Sequence, residues 1–120
     1  MWASRLIKRV SARKCHDQRL EYILRIVEKI RAADQDTWQQ EDVTASQVQG
    51  GMNNALYRVN LDGNSYVCKL CVPDKRQRVR REYDALRLLW QAGVDVAPQP
   101  LGMDQSCAIL PYPAVVYHWL

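Results

Sequence analysis

Phenylalanine is absent from these 120 residues, and tryptophan and tyrosine together raise the aromatic share only to 8%. A core must therefore be mostly aliphatic: Leu, Ile and Val make up 29 of 120 residues, or 24%, above the roughly 20% below which charged chains stay disordered. The length suits one domain. Long apolar runs are also missing. The longest uncharged stretch opens at Gln105 and is broken by Pro111 and Pro113, so it falls short of the ~20 apolar residues that cross a bilayer, and no membrane partner is expected. Residues 1 to 14 alternate apolar and charged side chains, so they lack the continuous apolar stretch of a secretory signal. Four cysteines (Cys15, Cys68, Cys71 and Cys107) are too few for a disulfide scaffold and fit a reducing, cytoplasmic setting. Cys68 and Cys71 spell CxxC, but residues three apart in a strand face opposite ways and no second Cys or His pair follows, so no metal is expected there. The chain holds no GxxxxGK[ST], HExxH or GxSxG motif either.

Charge is unevenly spread. Residues 1 to 31 carry nine Lys or Arg against three acids, residues 32 to 72 two against five, and residues 73 to 120 six against five. A basic front end is compatible with nucleic acid or anionic lipid. However, Trp2, Trp38, Trp90 and Trp119 do not interleave with the basic residues as a base-stacking platform would, so nucleic acid is not the expected partner. The basic residues read instead as solvated helix faces.

Apolar residues Leu20, Ile23, Leu24, Val27 and Ile30 recur at three and four, predicting an amphipathic helix over Gln18 to Ala33. Asp34 to Asp42 reads as a polar connector. Strands are expected at Val43 to Val48, Leu56 to Leu61 and Ser65 to Val72, the last two forming a hairpin around Asp62-Gly63-Asn64. Pro73 and Asp74 open a second helix, Lys75 to Ala92, stopped by Gly93 and striped by Val79, Tyr83, Leu86, Leu89 and Trp90. Two short strands, Cys107 to Leu110 and Ala114 to Trp119, complete the set. The result is an α+β fold: an antiparallel five-stranded sheet with a helix on one face, preceded by the N-terminal amphipathic helix. The boundary is placed between a basic helical extension, residues 1 to 36, and a lobe, residues 37 to 120. A doubly wound sheet would put its glycine turn between strand and helix, whereas Gly50-Gly51 lies between strands.

Two charges stand out. Lys69 interrupts the apolar run Tyr66 to Val72, and Glu82 sits three residues after Val79 and four before Leu86, at the edge of the apolar stripe. An ion pair between them accounts for both, since a buried charge needs a partner, whereas the alternative leaves each at a solvated edge. The order glycine turn, strand lysine, helix glutamate is that of protein kinases, where the loop covers the ATP phosphates and the glutamate holds the lysine. Five segments share that order: Gly50-Gly51-Met52-Asn53-Asn54, Tyr66-Val67-Cys68-Lys69, Arg81-Glu82-Tyr83-Asp84-Ala85-Leu86, Ala97-Pro98-Gln99-Pro100-Leu101-Gly102 and Val116-Tyr117-His118-Trp119-Leu120. Together they resemble the N-terminal, ATP-binding lobe of the aminoglycoside phosphotransferase and choline kinase group, over Gln47 to Leu120.

The resemblance implies Lys69 and Glu82 as catalytic residues. It implies a nucleotide site of Gly50, Gly51, Asn53, Asn54, Val59, Val67, the His118 carbonyl and the Leu120 N–H. ATP would be the phosphoryl donor and a hydroxyl of an aminoglycoside, amino alcohol or sugar the acceptor. Mg2+ is expected only with the C-terminal lobe, because no Asp-x-x-x-x-Asn catalytic loop occurs in the 120 residues; the chain reads as a lobe truncated at the hinge, inactive alone. The alternative function is a non-catalytic protein- or nucleic-acid-binding module with a basic helical N-terminus. A three-residue loop, Asp62 to Asn64, would put Val59 and Val67 on the face of Lys69. Val115, Val116, Tyr117, Trp119 and Leu120 are expected to end as an uncovered apolar segment.

Overall fold

The computed structural model describes residues 18–49, 54–72, 77–119. Helix α1 (18–32) is followed by β1 (Thr37–Gln40), β2 (Val43–Gln49), β3 (Asn54–Leu61), β4 (Asn64–Cys71), helix α2 (Arg78–Gln91), β5 (Pro100–Asp104) and β6 (Ala114–His118). The strands form one sheet in the order β1-β2-β3-β4-β6-β5, every neighbouring pair antiparallel. No described helix is long and apolar enough to cross a membrane.

The expected α+β arrangement holds, with six strands in place of five. β1 is the addition: it lies in the stretch read as a connector, and as an edge strand exposed at three of its four positions it has no apolar alternation to show. The strand expected at Cys107 to Leu110 is a series of bends; the chain pairs earlier, at Pro100–Asp104. Pro100 opens that strand at the sheet's edge, where a missing N–H is tolerated.

Each sheet face has its own cover. Ile23, Leu24, Ile26, Val27 and Ile30 of α1 share a core with Tyr57, Val59, Leu61, Tyr66, Cys68, Leu70 and Val116. Arginines of the same helix serve the tyrosines buried there: Arg31 Nη1 donates to the Tyr57 hydroxyl at 2.9 Å and Arg19 Nη1 to that of Tyr66 at 3.3 Å. On the opposite face α2 places Val79 and Tyr83 against Cys71, Val115, Met103 and Tyr117.

Helix α2 starts at Arg78, after Gln77 at φ 51°, and ends where Gly93, at φ 79°, donates its N–H to the Trp90 carbonyl. Its expected stripe is only partly covered. Val79 is buried, but Leu89 and Trp90 are 41% and 47% exposed, because the sheet contacts the N-terminal half of the helix more than its end. Val115 and Val116, expected to lie open, are fully buried in β6 between the two helix layers.

The β3–β4 hairpin corrects a second expectation. Leu61 pairs with Asn64, leaving a two-residue turn of Asp62 and Gly63 at φ 54° and 81°. Two positive φ values are the type I′ geometry that Asp-Gly favours and that follows the twist of the strands. The parity therefore reverses: Val59 pairs with Tyr66 and faces α1, while Lys69 pairs with Leu56 and faces α2.

Candidate functional site

β4 carries Val67, Lys69 and Cys71 on its α2 face. One turn into α2, the phase that buries Val79 brings Glu82 over the lysine: Lys69 Nζ donates to Glu82 Oε1 at 2.9 Å, with the two side chains 28% and 30% exposed. The anticipated pair thus forms, half-buried. Burial of Lys69 works to lower its pKa, but the hydrogen bond and charge of Glu82 outweigh it, and the ammonium is held above its ordinary 10.5. Lys69 is thereby a fixed cation with two N–H donors left over. Glu82 Oε2 is buried and accepts no hydrogen bond among the described residues.

Tyr117 lies beside this pair. It is opposite Val67 on the same face, and burial, then the charge of Glu82, raise its phenol pKa above 10.0 while Lys69 pulls the other way. The hinge expectation concerned its neighbours. The side chain of His118 faces α1, its ring 4.8 Å from that of Tyr66, and its N–H donates to the Gln99 carbonyl at 2.8 Å. Trp119 returns to the Lys69 face, where its ring lies 4.4 Å from the Arg58 guanidinium.

Of the nucleotide-site residues expected from the sequence, Val67 shares the face of Lys69, and Asn54 begins β3. Gly50, Gly51, Asn53 and Leu120 lie outside the described residues. Val59 does not belong: it is 0% exposed in the α1 core. Leu56 and Arg58 lie on the Lys69 face instead. The signal for them was the Asp-Gly dipeptide, which sets the parity of the whole hairpin. Among the described residues no group of three or more His, Cys, Asp or Glu is arranged to hold a metal.

A half-buried lysine is thus fixed by a helix carboxylate on one face of the sheet. No curated protein and no solved structure matches the chain. A family model does, spanning residues 44–120 and therefore Lys69 and Glu82: the chain belongs to the phosphotransferase enzyme family.

Proposed function

We propose that this chain is the nucleotide-binding lobe of an ATP-dependent kinase that phosphorylates a hydroxyl of a small molecule: an aminoglycoside, an amino alcohol or a sugar. The observation that carries the reading is the Lys69–Glu82 bond at 2.9 Å, within the stretch matched by the family. Lys69 supplies a permanent positive charge to phosphate oxygens, and Glu82 prevents the long side chain from wandering, so that little entropy is lost when the anion arrives. Val67 and Leu56 offer the apolar floor for the base. Gly50, Gly51, Asn53 and Asn54 would supply donors to the phosphates. Mg2+ would neutralise the developing phosphate charge. The reading assigns its ligands and the catalytic base to residues other than these 120. The alternative of a basic interaction module is weakened by α1, whose Arg19 and Arg31 serve tyrosines of their own sheet.

The test is calorimetric titration of the 120-residue chain with Mg-ATP, alongside an ADP-release assay against aminoglycosides and choline. Weak binding that Lys69→Ala abolishes, with no ADP above buffer, is expected. Binding indifferent to Lys69→Ala would sink the nucleotide assignment. Turnover would require a base within the chain.

A further inference from the structure

Alternation places Leu56 and Arg58 of β3, Ser65 and Val67 of β4 and Tyr117 of β6 on the face that carries Lys69. Helix α2 covers the Cys71 end of that face. Val67 is nonetheless only 7% exposed. Beside it, at Ser65, stands an arch of two side chains. Arg58 reaches from β3 and Trp119 from beyond the end of β6, and because β4 lies between those strands, their contact at 4.4 Å passes over β4.

Both feet of the arch are fixed. Arg58 Nη2 donates to Ser65 Oγ at 3.3 Å, the Ser65 hydroxyl donates to Asn60 Oδ1, and Asn60 Nδ2 donates to Thr44 Oγ1 at 2.9 Å. The Trp119 N–H donates to the Ser65 carbonyl at 2.9 Å. One group is left out: Arg58 Nε is buried with no acceptor among the described residues. An indole ring cannot supply one, since its nitrogen only donates.

We propose that the arch occupies the nucleobase position, and that a purine binds by taking the place of the Trp119 ring on the Arg58 guanidinium. Arg58 is then a base-binding residue and Trp119 its internal competitor. The proposal rests on the nucleotide reading above. Along a strand, Val67 is about 6.6 Å from Lys69, so a base whose phosphates reach the lysine lies at Val67 and against its β3 partner Arg58. A guanidinium stacks on an indole or a purine face alike. The nucleoside also brings ribose oxygens, which lie outside the plane of the stacked base and accept hydrogen bonds, so the exchange offers the Nε–H an acceptor that tryptophan lacks.

The experiment is an NMR titration of the 15N-labelled chain with adenosine, which has no phosphate, and with ATP, both to millimolar concentration. It follows the Arg58 Nε–H signal and the amides of β4. Wild type, Trp119→Ala, Arg58→Ala and the double variant are compared, each checked for a native-like spectrum before ligand is added. Trp119→Ala is expected to tighten adenosine binding about threefold or more, the Arg58 Nε–H to shift with ligand, and Trp119→Ala to have no effect in the Arg58→Ala background. Weaker adenosine binding in Trp119→Ala would make Trp119 a wall of the site and overturn the proposal. Unchanged binding, or tightening that persists without Arg58, would overturn it as well. In all three cases β4 shifts would still support the nucleotide reading. An absence of shifts anywhere with either ligand would remove both.

Discussion

Lys69 and Glu82 were legible because each is an anomaly in its own element: a cation inside an apolar strand and a carboxylate at the border of an apolar stripe. Their neighbours were not, because the face on which Arg58 or Val59 lands depends on a single residue in the turn. The pair's half-buried position sets its strength between the ~0.2–1 kcal/mol of exposed ion pairs and the ~3–5 kcal/mol lost when one partner of a buried pair is removed. Glu82→Gln should therefore lower stability in urea by about 1–2 kcal/mol. The lysine's raised pKa gives the pair a pH signature. Its contribution is whole below the ordinary 10.5 and fades as pH rises through the raised value, so the stability gap between wild type and Lys69→Met should narrow in that alkaline window. Cys68 acts in the same range. Burial pushes its thiol from 9.0 up to about 12, so between those values the unfolded chain ionises while the folded chain does not, and stability falls. Cys68→Ala should flatten that fall in alkaline urea titrations; an unchanged slope would show that Cys68 is not its source.

Helices and central strands announced themselves through period and parity, whereas edge strands did not. β1 has only Trp38 half-buried, and β5 carries Pro100 and Gly102, residues that usually mark a strand's end. What places β5 is tertiary. Its bulge at Gly102 brings the backbone against α1, where an added Cβ would lie 3.0 Å from Leu20 Cδ2. A branched side chain fits only if Leu20 gives way, and Gly102→Val should cost about 1–3 kcal/mol through overpacking. Helix α1 answers for the other half of the same contact. Ile23 is 0% exposed against the sheet, and Ile23→Ala should cost about 2–5 kcal/mol. If thermal melts show Ile23→Ala near neutral, α1 is a dispensable extension rather than one of the two layers that enclose β6.

The whole molecule buries its sheet well and its second helix poorly. Leu88, Leu89, Trp90 and Val96 are exposed by 66%, 41%, 47% and 77%, clustered at the C-terminal end of α2 and the loop after it. Trp90 also lines a groove of about 530 Å3 between α2 and β5, with Tyr83, Arg87, Pro100 and Met103. Exposed apolar side chains in this number at one end of a helix promote association. The net charge of +4 opposes it through mutual repulsion, and salt screens that repulsion over about 8–10 Å at physiological strength. The balance predicts a protein whose sedimentation coefficient rises with concentration and rises further with added salt, the opposite of what an ionic interface would do. Leu88→Glu places a charge at the most exposed large apolar residue of the helix, outside both core clusters, and should abolish the concentration dependence without changing the melting temperature. If the dependence survives Leu88→Glu, the sticky surface lies elsewhere, and the end of α2 is only incidentally apolar.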